Sequence, residues 1–367
     1  MRTMGTVGGE AARRTIPWKP MMSLRRATPS LGRAETDRLV NLGLAALLLS
    51  AVISGLASEA TGTPAGRWLI VLHGVSGLGL LMLSRRKTRI ATRALNRPRR
   101  RRGWTSSLLF ATLVVIVVLT GLLESTGITY RLGPVTVMQV HIGGAVLAIP
   151  VAILHILRRP ARPRATDLSR RTLLRAATVG AAAGVAWLGW EGVLNATSAP
   201  GATRRFTASH ERGSGDPDAM PVTQWFDDAV QRIDPVTWRL HVGDRALTFD
   251  DLHRMPQEEI TAILDCTSMW YAEQVWGGVR LDRLIDLGDA PSVAVRSATG
   301  YALRFPARDL DKIWLALEVG GRPLSAGHGF PARIVAPGRR GFWWVKWVTG
   351  IQPSSIPWWV QSPFPLT

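Results

Sequence analysis

Residues 264–273 read Leu264-Asp265-Cys266-Thr267-Ser268-Met269-Trp270-Tyr271-Ala272-Glu273. Cys266 is the only cysteine of the 367-residue chain, so it has no partner for a disulfide within the chain. A lone cysteine serves as a small buried hydrophobe, as a reactive thiol or as a metal ligand. The sequence on either side decides which of these it is.

Long apolar segments precede this stretch. Four of them are close to the roughly 20 residues that a helix needs to cross the hydrocarbon core of a bilayer, and they occupy residues 39–56, 68–83, 108–123 and 135–157. A fifth apolar segment, rich in Ala and Gly, spans residues 176–190. The pattern predicts an all-α, four-helix membrane domain over residues 37–160 and a fifth anchor helix within residues 161–200.

The charge distribution indicates membrane topology rather than nucleic-acid binding. The formal charge is +19, from 45 Lys and Arg against 26 Asp and Glu, and the basic residues lie at the ends of apolar segments instead of along one periodic face. Residues 85–102 contain ten basic residues and no acid, whereas 58–66 and 125–133 are nearly free of Lys and Arg. By the positive-inside rule, residues 1–36 and 85–102 are cytoplasmic, and no nucleic-acid partner is expected.

Arg170 and Arg171 precede the fifth apolar segment. Paired arginines before a moderately apolar run resemble a twin-arginine export signal. The alternative is that the two arginines are the positively charged residues that anchor the cytoplasmic end of a fifth membrane helix. Both interpretations place the following residues on the outer side of the cell membrane, periplasmic or extracellular. We expect an uncleaved anchor.

The C-terminal part differs in composition. Residues 201–219 are rich in Gly, Ser, Thr, Arg and Asp and predict a linker. Residues 220–367 contain short β-type runs separated by Gly, Pro and Asp turns, with helical pieces at 249–255 and 281–287. The predicted strands are 238–242, 292–295, 313–319 and 333–336. This part is expected to be a strand-rich α+β domain.

Three motifs in order give this domain a specific resemblance. They are Trp238-Arg239-Leu240-His241-Val242-Gly243, then Leu264-Asp265-Cys266-Thr267 with Trp276-Gly277-Gly278-Val279-Arg280-Leu281, then Gly327-His328-Gly329-Phe330-Pro331-Ala332-Arg333-Ile334-Val335 followed by Lys346-Trp347-Val348. Together they resemble the molybdopterin-binding domain of the sulfite oxidase family. The resemblance implies that Cys266 is the catalytic thiolate bound to molybdenum, with a molybdopterin cofactor as the other ligand. It also implies cofactor-binding roles for His328, Arg333, Lys346 and Thr267.

Two departures from that family bear on the substrate. Residues 220–226 stand where sulfite oxidases typically carry an Arg-Asn-His type motif, and here they contain no arginine. A dianion such as sulfite needs several fixed cations, so the departure argues against sulfite. Met269 occupies a position where relatives often have Gly, and either narrows the pocket or fills space.

His73 and His141 predict a second redox centre. Each lies seven residues into a helix that runs inward, counted from Gly66 and Pro134, so the two imidazoles are expected at matched depth. Such a pair can ligate a haem iron, as in b-type membrane cytochromes, which exchange electrons with quinones and which this unit resembles. The alternative is a polar contact between helices, with each histidine bonding a backbone carbonyl or Ser76. His155 has no partner at its own depth on another predicted helix.

The combined expectation is a membrane-anchored molybdenum-dependent oxidoreductase. It would transfer an oxygen atom to or from a small or protein-borne oxo substrate, in the manner of a sulfoxide reductase or a sulfite oxidase. Electrons would pass through the membrane haem b to or from a quinone or a redox protein. The alternative is a non-catalytic electron-transfer or cofactor-binding protein whose active site has lapsed.

Overall fold

The computed structural model describes residues 32–95, 104–158, 160–224 and 228–362. The predicted basic N-terminal segment lies outside the described residues up to residue 31, as do residues 96–103 of the arginine-rich connection. Within the described ranges, a helical N-terminal half is followed by a strand-rich C-terminal half, which confirms the predicted order of architectures.

Five long helices make up the N-terminal half of the described chain. They are α1 (Arg33–Ala60), α2 (Arg67–Leu95), α3 (Trp104–Thr126), α4 (Val137–Arg158) and α5 (Arg170–Ala196). All five are long and apolar enough to cross a bilayer, and large apolar side chains such as Leu49, Leu119 and Leu147 point away from the protein. The predicted helices are confirmed as helices, and their insertion in a membrane remains a prediction from composition.

The helices pack as two hairpins, α1 with α2 and α3 with α4, and α5 lies against α2. The contact between α2 and α5 depends on Gly74. A Cβ atom at this position would lie 2.0 Å from the indole ring of Trp187, so only glycine lets the ring rest on the α2 backbone. A short ribbon of β1 (Arg131–Leu132) and β2 (Val135–Thr136) connects α3 to α4.

Two further sheets form the C-terminal half. The first contains β3 (His210–Glu211), β6 (Glu258–Cys266), β7 (Trp270–Arg280), β10 (Trp314–Val319), β11 (Arg322–Pro323) and β12 (Arg333–Val335). The second contains β4 (Leu240–Val242), β5 (Arg245–Leu247), β8 (Ser292–Ser297), β9 (Ala302–Pro306) and β13 (Val348–Ser354). Two short helices, α6 (Phe249–Arg254) and α7 (Leu281–Leu284), lie beside them. The pairs β3–β7 and β4–β13 are parallel, and the other pairs are antiparallel.

The four predicted strands correspond to β4, β8, β10 and β12, and both predicted helical pieces are present. The long β6–β7 hairpin was not predicted from the periodicity. Its Gly277-Gly278 pair is unusual for a strand, and the structure gives the reason: a Cβ on Gly278 would lie 2.1 Å from the Leu315 carbonyl oxygen. The two glycines allow β7 to approach β10 closely, next to a bulge at Ala316 and Glu318.

The two halves meet where α1, α3 and α5 end. The α1–α2 connection lies so close to the C-terminal half that a Cβ on Gly62 would be 2.7 Å from the Gly338 carbonyl oxygen. The first part of the predicted linker, residues 201–212, runs along this contact, with Ser209 and His210 buried. The His210 Nε2–H donates to the Glu124 carbonyl oxygen at 2.8 Å, near the end of α3.

Candidate functional site

Cys266 ends β6 and opens the tight turn to β7. The Met269 amide closes this turn on the Cys266 carbonyl oxygen at 3.2 Å. The sulfur lies 3.2 Å from the Thr223 hydroxyl and 3.5 Å from the Ser268 amide nitrogen. Met269 has a φ of 66°, a left-handed conformation that favours glycine, which accounts physically for the glycine expected there. Thr267 lies in the same turn and is half-buried.

Arg333 is a buried cation without a carboxylate partner among the described residues. It is 1% exposed and packs against the rings of both Trp276 and Trp344, with its guanidinium carbon 5.0 and 5.6 Å from their centroids. Its Nη1 and Nη2 donate to the carbonyl oxygens of His328 and Trp344, and its Nε has no partner. Burial lowers the pKa of Arg333 to about 9, and the nearby Cys266 thiolate acts against that shift. A buried charge is costly unless an opposite charge pairs with it, so the binding of an anion from outside the chain would stabilise Arg333.

Lys346 adds a second buried cation beside Arg333. Its Nζ donates to the carbonyl oxygens of Thr223 and Gly327, both at 2.7 Å. Burial, and then the charge of Arg333, lower the pKa of Lys346 to about 7. Gly329 leaves space for the side chains of Arg333 and Lys346 to lie close together. A Cβ at this position would be 3.0 Å from the Cβ of Arg333 and 3.1 Å from that of Lys346.

His328 is buried and bonded to protein atoms at both ring nitrogens. Its Nε2 lies 3.2 Å from the Met220 carbonyl oxygen, which can only accept, so Nε2 carries the proton. Its Nδ1 then accepts from the Ser325 hydroxyl at 3.0 Å. Burial, and then the charges of Arg333 and Lys346, lower the pKa of His328 to about 4, so the ring is neutral. His328 therefore connects the loop before β12 to the segment that presents Thr223.

Asp265, the residue before Cys266, was not identified from the sequence as a site residue. Its carboxylate is 4% exposed and accepts from four side chains: Arg205 Nε at 3.0 Å, Thr207 Oγ1 at 2.8 Å, Ser209 Oγ at 2.8 Å and Arg340 Nη1 at 2.5 Å. These donors fix the position of the Cys266 turn from behind. No sequence motif marks them, because they are distant along the chain.

His73 and His141 lie together between the two helix hairpins. Their ring centroids are 5.8 Å apart, with an interplanar angle of 73°. His73 Nδ1 bonds the Ala51 carbonyl oxygen of α1 at 2.8 Å, and His141 Nδ1 bonds the Val117 carbonyl oxygen of α3 at the same distance. Because a carbonyl oxygen only accepts, each Nδ1 carries the proton and each Nε2 keeps its lone pair. Metal-bound histidines usually donate their other ring nitrogen in this way.

The two hairpins repeat the same packing around these histidines. The His73 ring rests on Gly55, and the His141 ring rests on Gly121, each four residues after the helix carbonyl that accepts its proton. An ideal Cβ on either glycine would lie 3.0 Å from the imidazole Cε1. Ser76, the polar partner considered from sequence, bonds Ser50 instead at 2.9 Å.

His155 is placed elsewhere on α4, with its Nδ1 3.4 Å from the Ser107 hydroxyl and its ring 5.7 Å from that of Phe110. The described part of the chain places no second histidine beside it. The structure therefore brings together one histidine pair.

The C-terminal half is similar to known oxidoreductases. The family model named "Oxidoreductase molybdopterin binding domain" matches residues 227–358, about a third of the chain. We call the strand-rich half that contains this match the molybdopterin domain. Mitochondrial sulfite oxidase of Mus musculus is 32% identical over an alignment of 167 positions, which covers 34% of this chain and 31% of that protein. The chain therefore spans about a third of the length of the sulfite oxidases it matches.

Two bacterial proteins are also similar. The uncharacterized oxidoreductase YuiH of Bacillus subtilis is 30% identical over 132 positions, covering 32% of this chain and 66% of that protein. YedZ1 of Azospira oryzae, whose full name is "Putative protein-methionine-sulfoxide reductase subunit YedZ1", is 28% identical over 127 positions, covering 32% of this chain and 48% of that protein.

The residues of the molybdopterin domain fit an anionic cofactor bound through a metal. Cys266 supplies a thiol, which when deprotonated becomes a soft thiolate ligand that can bind a transition metal such as molybdenum. Arg333 and Lys346 supply two buried cations, and neither forms a salt bridge within the described ranges, although the Asp228 carboxylate acts on Lys346 at longer range. The arrangement can hold an anion beside the sulfur.

Proposed function

We propose that the chain is a membrane-anchored molybdopterin-dependent oxidoreductase that transfers an oxygen atom and exchanges electrons with a haem b held by His73 and His141. One observation carries the proposal: the unpaired Arg333 guanidinium lies buried beside the only thiol of the chain. Arginine forms strong bidentate bonds to phosphate and other anions, so a bound molybdopterin would satisfy this charge.

Each site residue has a defined task in this proposal. When bound, the cofactor supplies two-electron oxygen-atom exchange, which no side chain can perform. Cys266 holds the metal as a thiolate, and the Thr223 hydroxyl donates to that sulfur. Arg333 and Lys346 hold the anionic groups of the cofactor, and His328 fixes the backbone that presents Thr223. Thr267 lies next to Cys266 in the same turn, where it would contact a bound cofactor.

A sulfoxide is the substrate that the site supports best. Reduction of a sulfoxide to a thioether consumes two protons and two electrons and releases water. The substrate is neutral, so it needs no cluster of fixed cations, which agrees with the absence of arginine from residues 220–226. The similarity to YedZ1 supports a sulfoxide, small or carried by a protein, whereas the similarity to sulfite oxidases supports the opposite reaction on sulfite.

The histidine pair supports a haem. The two Nε2 atoms keep their lone pairs, and imidazole nitrogens bind metals at about 2 Å, so ring centroids 5.8 Å apart are close to the separation that one iron requires. The flanking Gly55 and Gly121 leave space where a side chain would press on the rings. Electrons would come from a quinol or a redox protein, one at a time. By the positive-inside rule, the molybdopterin domain lies on the outer side of the cell membrane.

The molybdenum site is tested with the full chain, purified in detergent from cells that make the cofactor. We expect one molybdenum per chain and turnover with a methionine sulfoxide but not with sulfite. Cys266→Ser should abolish turnover without unfolding the domain, because serine keeps the size of the side chain and removes the soft ligand. A folded wild-type protein without molybdenum would contradict the proposal.

The haem site is tested by the optical spectrum of the same preparation. His73→Ala and His141→Ala should each remove the reducible haem absorption band, because one axial imidazole is lost. His155→Ala is the matched control on α4 and should leave the band unchanged. A normal spectrum in either of the first two variants would refute this pair of ligands.

A further inference from the structure

Arg340 lies at the contact between the two halves of the chain. Its side chain is 1% exposed, and its Nη1 donates to the Asp265 carboxylate at 2.5 Å and to the Ser209 hydroxyl at 3.3 Å. Carboxylates beside a buried guanidinium offset the cost of removing its charge from water. Asp265 provides one of them, from the residue next to Cys266.

The second carboxylate comes from the other half of the chain. Glu59, in the last turn of α1, accepts from Arg340 Nη2 at 3.2 Å, across 281 positions of sequence. The backbone beside this ion pair is also in close contact, because Gly62 leaves no room for a Cβ against Gly338. Glu59, Arg340 and Asp265 thus form a continuous bridge between the helical unit and the molybdopterin domain, which we call the interface bridge.

Each end of the interface bridge lies beside a proposed redox site. Glu59 follows Gly55, on which the His73 ring rests, by four residues, which is about one turn or 6 Å along α1. At the other end, Asp265 precedes Cys266. The bridge therefore holds the turn that carries the molybdenum ligand against the helix that packs on a haem ligand.

We propose that Glu59 is a positioning residue that fixes the molybdopterin domain on the helical unit, so that Cys266 and the His73–His141 pair stay at a constant separation. Asp265 has three other donors, whereas Arg340 has Glu59 as its only carboxylate from the helical unit among the described residues. Loss of Glu59 leaves the Cys266 turn intact and loosens the contact between the halves. The part of this inference that concerns electron transfer rests on the function proposed above.

The test uses the full chain in detergent and compares Glu59→Ala, Glu59→Gln and Glu59→Asp with Asp218→Asn. The control removes one carboxylate of the exposed Asp218–Arg322 ion pair, which involves no residue of the helical unit. In Glu59→Ala, amide hydrogen exchange in residues 204–210 and 338–341 should be at least tenfold faster than in the wild type. The exchange rate in Glu59→Gln should lie between those of Glu59→Ala and the wild type. In Glu59→Asp and in the control, these amides should exchange at close to the wild-type rate. Unchanged exchange in Glu59→Ala would overturn the proposal.

A second measurement tests the link to electron transfer. In Glu59→Ala, the oxidation of reduced haem by a sulfoxide should slow at least tenfold, while turnover with reduced methyl viologen as a direct electron donor stays within twofold of the wild type. Unchanged haem oxidation together with faster exchange would overturn the role in electron transfer. The exchange measurement needs neither cofactor, so its outcome is independent of the proposed function.

Discussion

The charge of Lys346 makes the stability of the cofactor-free domain depend on pH. Burial and the neighbouring Arg333 lower its pKa to about 7 in the folded protein, whereas lysine in an unfolded chain has a pKa of about 10.4. Between these values the unfolded chain binds one more proton, so the free energy of unfolding rises with pH. Well below pH 7 the Lys346 ammonium is charged in both states, so Lys346 no longer makes the free energy of unfolding depend on pH.

The size of the effect follows from the same pKa values. A difference of one bound proton gives a slope of about 1.4 kcal/mol per pH unit. From pH 7 to pH 9 the free energy of unfolding should therefore rise by on the order of 2 kcal/mol. Most of the rise should disappear in Lys346→Met, which keeps the length of the side chain and removes the charge. The part that remains toward pH 9 comes from Arg333, whose pKa burial lowers to about 9. The rise should also disappear in the cofactor-loaded protein, because a bound anion restores the charged form of Lys346.

Urea unfolding of the cofactor-free full chain measures this slope. The fluorescence of the buried tryptophans Trp270, Trp276, Trp344 and Trp347 reports on the molybdopterin domain. Unfolding curves at several pH values give the free energy for the wild type and for Lys346→Met. Parallel pH dependence in the two proteins would refute the reasoning, because it would show that Lys346 does not titrate in this range when folded.

Three further substitutions have outcomes that follow from the contacts. Arg333→Met should leave the free energy of unfolding of the cofactor-free domain unchanged or raise it by up to about 4 kcal/mol, because it removes an unpaired buried charge, while the molybdenum content of the purified protein falls. Asp265→Asn should lower the free energy of unfolding by about 3–5 kcal/mol in urea titrations, because Arg205 and Arg340 both lose their bond to the Asp265 carboxylate, and Arg340 keeps only Glu59. Gly74→Ala should lower the thermal midpoint in detergent, since its Cβ would overlap the Trp187 ring, at a cost of about 1–3 kcal/mol or more. Gly77→Ala, whose Cβ meets nothing within 4 Å, is its matched control and should not lower the midpoint.

The parts of the fold that depend on local pattern were predictable from sequence. Apolar segments of membrane length predicted the five helices, and short β-type runs bounded by turn residues predicted β4, β8, β10 and β12. Counting residues from the helix ends also placed His73 and His141 at one depth, and the structure brings their rings together. Each of these inferences uses residues close to one another in sequence or a regular geometric repeat.

The interface bridge was not predictable, because its members are far apart in the chain. Arg340 lies 75 positions from Asp265 and 281 from Glu59. Each of these residues, taken alone, resembles an ordinary solvated charge. Residues 201–219 show the same difficulty: their composition is that of a linker, yet Ser209 and His210 are buried by contacts from both halves.

The most direct test of the account is the oxidation of the membrane haem by substrate. The purified full chain is reduced anaerobically, excess reductant is removed, and a methionine sulfoxide is added while the haem spectrum is recorded. The account predicts that the haem is oxidised in the wild type and stays reduced in Cys266→Ser, although both proteins show the same initial haem band. Haem oxidation at equal rates in the two proteins, or no oxidation by any sulfoxide in a molybdenum-loaded wild type, would contradict it.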